Sequence, residues 1–135
     1  DEDEGSCMII IATNAPLSNR NLKRMAKRVD HAFGRVGAYS SNGSGDYAII
    51  FSTHKANSSD GLTNTREEIK NRHMNGLFMA TVEATEEAII NSLFMAETVS
   101  SRYGTMEALP VDKTMQILKK YKALSWNKKL YPWKK

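Results

Sequence analysis

Gly5-Ser6 followed by Cys7-Met8-Ile9-Ile10-Ile11-Ala12-Thr13 is the stretch that decides how this chain is read. From Cys7 to Thr13 the residues are apolar or small without interruption. Such a run reads as a strand covered on both faces, as in a sheet packed between layers. A second run of the same kind, Tyr47 to Thr53, follows Asn42-Gly43-Ser44-Gly45-Asp46. A serine at a Gly-Ser bond that enters a buried strand is either a strand N-terminus with no chemistry or the place where a self-cleaving hydrolase would keep its nucleophile. Cleavage between Gly5 and Ser6 makes Ser6 N-terminal, with its hydroxyl beside its own α-amine. That amine, with an ordinary pKa of about 8, can serve as the general base that a serine otherwise lacks.

Working outward, Asn14-Ala15-Pro16 breaks the first strand. A helix is predicted from Asn19 to Val36, N-capped by Ser18 or Asn19 and ended by Gly34 or Gly37. Leu22, Met25, Ala26, Val29, Phe33 and Val36 form its apolar stripe. Arg20, Lys23, Arg24, Lys27, Arg28 and Arg35 lie on the other side and read as a solvated face. Ala38 to Asp46 is a polar loop, and His54 to Thr65 an exposed excursion. A long helix is predicted from Asn71 or Asn75 to Arg102. It is apolar on more sides than one, with a small-residue face from Ala80, Thr81, Ala84, Thr85, Ala88 and Ser92. Tyr103 to Pro110 reads as a turn and Val111 to Tyr121 as a last helix. Trp126, Tyr131 and Trp133 make the tail unusually apolar, which suits docking on another chain.

Three blocks carry a family resemblance: GSCMIIIATNAPLSNRNLKRMAKR, GRVGAYSSNGSGDYAIIFST and LFMATVEATEEAIINSLFMAET. In this order, from Gly5 to Pro110, they resemble the C-terminal β part of the self-processing aminopeptidases of the DmpA type, which include L-aminopeptidase/D-amidase-esterases and β-aminopeptidases. The resemblance implies an α/β fold, a four-layer αββα sandwich like that of ornithine acetyltransferase and akin to the N-terminal-nucleophile hydrolases. It implies autocatalytic cleavage at Gly5-Ser6, Ser6 as nucleophile, and Ser44 and Asp46 in the same site. Residues 1–5 are then an acidic leader, and residues 6–135 the β part of a domain completed by an N-terminal α part. That part is expected to supply the oxyanion-hole and specificity contacts. The implied reaction is hydrolysis of amide or ester bonds next to a free N-terminal amine, through an acyl-enzyme on Ser6. The implied partners are the α part, further copies in a homo-oligomer, and a small peptide or amide substrate.

The residues alone leave other roles open. Ser44 and Asp46 also suit a Gly-flanked turn whose side chains cap the backbone. Asn42 and Asn14 are weaker candidates, equally suited to turns. Cys7 reads as a small buried residue rather than a nucleophile, and a single cysteine agrees with a reducing, cytoplasmic setting. Two rival functions remain: an acyltransferase of related fold, which would use threonine where this chain has Ser6, and a non-catalytic assembly subunit.

Composition narrows the field. A chain of 135 residues with 41% hydrophobic and 25% charged residues is one ordinary globular domain's worth. No run approaches the roughly 20 apolar residues that span a bilayer, so no membrane is expected. The formal charge of +4 resides on the first helix and on the C-terminal stretch, and no aromatic-basic ladder of the kind that stacks bases occurs, so nucleic acid is not expected either. No phosphate loop or dinucleotide fingerprint occurs. His31, His54 and His73 lack metal-ligand spacing, so neither a metal nor a cofactor is expected, and nothing favours a Ser-His-Asp triad.

Overall fold

The computed structural model describes residues 5–55 and 67–124. The leader before Gly5, most of the polar excursion, and Trp126, Tyr131 and Trp133 lie outside the described residues. The chain divides into two compact units, one up to Ile90 and one from Asn91.

In the first unit, β1 (Met8–Thr13) and β2 (Tyr47–Ser52) pair in parallel. Parallel neighbours need a crossover, and here it consists of α1 (Asn19–Ala26) and α2 (Val29–Arg35). The register sets Met8 opposite Tyr47 and Thr13 opposite Ser52. It is locked at both ends, where Tyr47 N–H donates to Cys7 O at 2.9 Å and Thr53 N–H to Thr13 O at 2.8 Å. Side chains alternate across a strand. Ile9, Ile11, Ala48 and Ile50 therefore face the helices, where they pack with Val29 and Phe33 in one cluster and with Leu17, Met25 and Met74 in another. Met8, Ile10, Tyr47, Ile49 and Phe51 occupy the opposite face and are 45–65% exposed. The sequence suggests strands covered on both faces; among the described residues, only one face is covered.

The single helix expected over Asn19 to Val36 is two. Arg28 N–H bonds to Met25 O instead of continuing the ladder, and the Arg28 guanidinium donates to Arg24 O at 2.8 Å. A side chain thus satisfies the carbonyl that the backbone abandons. The amphipathic stripe continues across the break, and Met25, Val29, Ala32 and Phe33 are all buried. The basic face is also less solvated than expected. Arg28 and Arg24 lie over the Phe78 ring at 4.0 and 4.8 Å from its centroid, and Arg35 pairs with Glu86 at 2.8 Å. Ser18 is the N-cap, in an extended conformation, but its hydroxyl donates to Glu68 rather than capping the helix. Asn21, almost fully buried, donates to the same carboxylate.

A 3₁₀ turn at Asn71–His73 leads into α3 (Met74–Phe94). The small-residue face splits. Thr81 and Thr85 are buried, their hydroxyls donating to the carbonyls of Leu77 and Thr81 at 2.7 Å, whereas Ala80, Ala84 and Ala88 are exposed.

The helix ends at Phe94, short of the expected Arg102. In the second unit, Val99–Ser101 (β3) pairs antiparallel with Gly104–Met106 (β4), and α4 spans Val111–Lys120. Thr98-Val99-Ser100-Ser101 favours extended chain over helix. Gly104, at φ 130°, supplies a turn conformation that other residues rarely adopt. Among the described residues no helix is long and apolar enough to cross a membrane.

Candidate active site

The parallel register builds the site. Cys7 and Asp46 each directly precede a strand, so they adjoin, and Cys7 N–H donates to Asp46 Oδ1 at 2.9 Å. One step earlier, Gly45 N–H donates to Ser6 Oγ at 3.0 Å. A separation of 39 residues is thus closed by strand pairing rather than by any local turn.

The loop between helix and strand is aimed by the end of α2. Gly37 sits at φ 88°. Its N–H bonds to Gly34 O, and Ala38 N–H reaches back to Phe33 O at 2.9 Å. This is a Schellman termination, and the left-handed position explains why Gly37, not Gly34, ends the helix. The chain then turns again, with Ser44 N–H on Ser41 O at 2.9 Å.

These segments line an open cavity of about 460 Å³. Gly5, Ser6, Ser44 and Asp46 line its polar side, while Phe33, Val36 and Ile89 line its apolar side. Asp46 accepts hydrogen bonds from the hydroxyls of Ser44 and Ser40 as well as from Cys7 N–H. These donors, Ser44 first, hold its carboxyl below the usual range, so it is charged at neutral pH. Ser44 is therefore oriented by Asp46. Burial, then the Asp46 charge, push the Cys7 thiol up, which disfavours its thiolate.

Of the residues singled out by sequence, Ser6, Ser44 and Asp46 meet around this cavity. Asn42 belongs to the same loop but does not line the cavity, and Asn14 lies past the opposite end of β1. Two participants escaped the sequence reading. One is Gly45, whose contribution is a backbone N–H. The other is Ser40, which only the richness of the loop in serine could have suggested. Chemically, the arrangement offers a hydroxyl oxygen held by a backbone donor, with a carboxylate-oriented second hydroxyl in the same cavity. A donor on Oγ favours the developing alkoxide of a nucleophilic serine.

The sequence pattern of peptidase family S58 matches residues 1–107. The chain belongs to peptidase family S58. It is 42% identical over 125 residues to the beta-peptidyl aminopeptidase BapA of Sphingosinicella microcystinivorans, an alignment covering 90% of this chain and 32% of that protein. Its fold matches a Pyrococcus horikoshii protein of known crystal structure with a TM-score of 0.75 and 40% identity, over 85% of this chain and 33% of that one. It also matches the L-aminopeptidase D-Ala-esterase/amidase of Ochrobactrum anthropi, a serine aminopeptidase with a variant of the Ntn hydrolase fold. There the TM-score is 0.73 at 26% identity, over 85% of this chain and 34% of that one. The α/β fold expected from sequence, akin to the N-terminal-nucleophile hydrolases, is the fold observed. The chain spans about a third of the length of these relatives.

Proposed function

We propose that this chain is the nucleophile-bearing β part of a self-processing serine aminopeptidase. The observation that carries the reading is the contact of Gly45 N–H with Ser6 Oγ, beside the Ser44–Asp46 pair in the same cavity. The precursor cleaves between Gly5 and Ser6. The α-amine released on Ser6 takes the proton of its own hydroxyl, directly or through water, as Ser6 Oγ attacks the substrate carbonyl. Ser44, oriented by Asp46, relays or steadies that proton. The substrate C–N bond breaks as the α-ammonium passes that proton to the departing amine, and water then hydrolyses the acyl-enzyme on Ser6. Aminopeptidase relatives support hydrolysis over acyl transfer to an amine.

Residues 6–135 act with an N-terminal α part in this reading. Two observations support it: the chain matches only a third of its relatives, and the apolar face of Met8, Ile10, Tyr47, Ile49 and Phe51 is exposed among the described residues. A second sheet from the α part covers that face and completes the four-layer sandwich. The α/β unit assembles into a symmetric oligomer, the common outcome for such proteins. A free cysteine suits a cytoplasmic setting.

The substrates are small peptides and amides with a free N-terminal amine. Amides of β-amino acids come first, because a relative of 42% identity is named a beta-peptidyl aminopeptidase. The test is hydrolysis of a chromogenic aminoacyl anilide and of its N-acetylated form by the complete two-part protein. The free-amine substrate is cleaved, the acetylated one is not, and Ser6→Ala abolishes cleavage. Equal rates on both substrates, or an active Ser6→Ala, would overturn the reading.

A further inference from the structure

Ser40 adopts a left-handed backbone conformation, φ 52°, which disfavours any residue with a β-carbon. Among the described residues, Lys122 is the other non-glycine with positive φ, at 55°. Lys122 has an ordinary reason: it directly follows the C-cap of α4, and Ala123 N–H bonds back to Leu118 O in the manner of a helix termination. Ser40 has no such reason, because Gly37 already fills the equivalent position after α2. Glycine would hold the Ser40 conformation at less cost. What serine adds is a hydroxyl, and that hydroxyl donates to Asp46.

We propose that Ser40 is a positioning residue for the Ser44–Asp46 pair, its hydroxyl presented by the left-handed backbone so as to fix the carboxylate in the Ser6 cavity. The inference rests on the reading of Ser6, Ser44 and Asp46 as the reacting group. Cys7 N–H anchors Oδ1 from the strand side. One further donor on the loop side restricts rotation of the carboxylate about its own bond. Ser44 then meets an acceptor in a fixed place, and its hydroxyl proton points along a fixed line. Ser40 touches neither Ser6 nor substrate in this account; it acts through Asp46.

Three substitutions in the complete two-part protein separate the hydroxyl from the backbone. Ser40→Gly removes the hydroxyl and relieves the backbone. Ser40→Ala removes the hydroxyl and keeps the strain. Ser40→Asn tolerates the left-handed region and keeps a donor. Turnover of the aminoacyl anilide falls about tenfold in Ser40→Gly and in Ser40→Ala, the scale of one hydrogen bond to a charged group, with KM little changed. Ser40→Gly nonetheless unfolds at the parental temperature or above it, and Ser40→Asn recovers part of the turnover. The acid limb of kcat moves to higher pH in Ser40→Gly, because a carboxylate that loses a donor protonates more readily. Parental kcat and an unmoved acid limb in Ser40→Gly would overturn the inference and leave Ser40 a turn residue. A parent that Ser6→Ala leaves unchanged would instead overturn the catalytic reading itself, and this inference with it.

Discussion

Replacing Ser44 by alanine separates its two candidate roles, a turn former and a proton-handling group. The turn at Ser44 is held by its backbone N–H on Ser41 O at 2.9 Å, which alanine retains. Asp46 keeps two other donors, Cys7 N–H and the Ser40 hydroxyl, so its carboxylate remains placed. Gly45 N–H still reaches Ser6 Oγ. The fold and the nucleophile therefore persist, and thermal unfolding shifts little. What is lost is one positioned acid–base group, typically worth about 10² in rate. That corresponds to about 2.7 kcal/mol on the barrier. The assay is steady-state hydrolysis of an aminoacyl anilide by the complete protein, with thermal unfolding in parallel. The expected result is a hundredfold loss in kcat, to order of magnitude, with KM nearly unchanged. Asp46→Asn keeps an acceptor for Cys7 N–H but loses the charge, and falls by a similar factor. Near-parental turnover in Ser44→Ala would refute the reasoning, since Ser44 would then serve only the turn.

Three further outcomes follow from the structure. Cys7→Ala retains most activity, and the native thiol alkylates slowly at pH 8, because burial and Asp46 raise its pKa; rapid alkylation would contradict that environment. Asp46 and Glu68 both have folded pKa values below their ordinary ones, Glu68 chiefly through the Ser18 hydroxyl. Their stabilisation is therefore fully present above the ordinary carboxylate range and is lost as pH falls through it, from about 4.5 downward. Glu68→Gln flattens that acid limb in a titration of unfolding, and an unchanged limb would exclude Glu68. Arg28→Ala removes both the stacking on Phe78 and the bond to Arg24 O. It should cost about 1–2 kcal/mol in denaturant unfolding, whereas no loss would make that face merely solvated.

How far the sequence could be read depended on the kind of interaction involved. Cys7 to Thr13 and Tyr47 to Thr53 were legible as strands because continuous apolar runs leave few alternatives, and both are strands within a residue or two of those bounds. The break between α1 and α2 was not legible. It shifts main-chain hydrogen bonds under an unbroken apolar stripe, and a side-chain pattern carries no trace of such a shift. The long helix stops at Phe94, short of Arg102, because the β-branched and serine residues of Thr98 to Ser101 favour extended chain over helix. At the site, Ser6 stood out at its Gly-Ser bond before a buried strand, whereas Ser44 and Asp46 entered only through the resemblance to the DmpA-type family. Their approach to one another depends on a parallel register that no local window encodes. Gly45 acts through its backbone and Ser40 through an unusual φ, and neither leaves a mark in composition.

The central claim is that Ser6 becomes the N-terminal nucleophile, and the most direct test is N-terminal sequencing, with intact mass, of the active purified enzyme. The account predicts a fragment beginning Ser-Cys-Met, and a Ser6→Ala precursor that stays whole. Full activity with the Gly5-Ser6 bond intact, or a new N-terminus at any other residue, would contradict it.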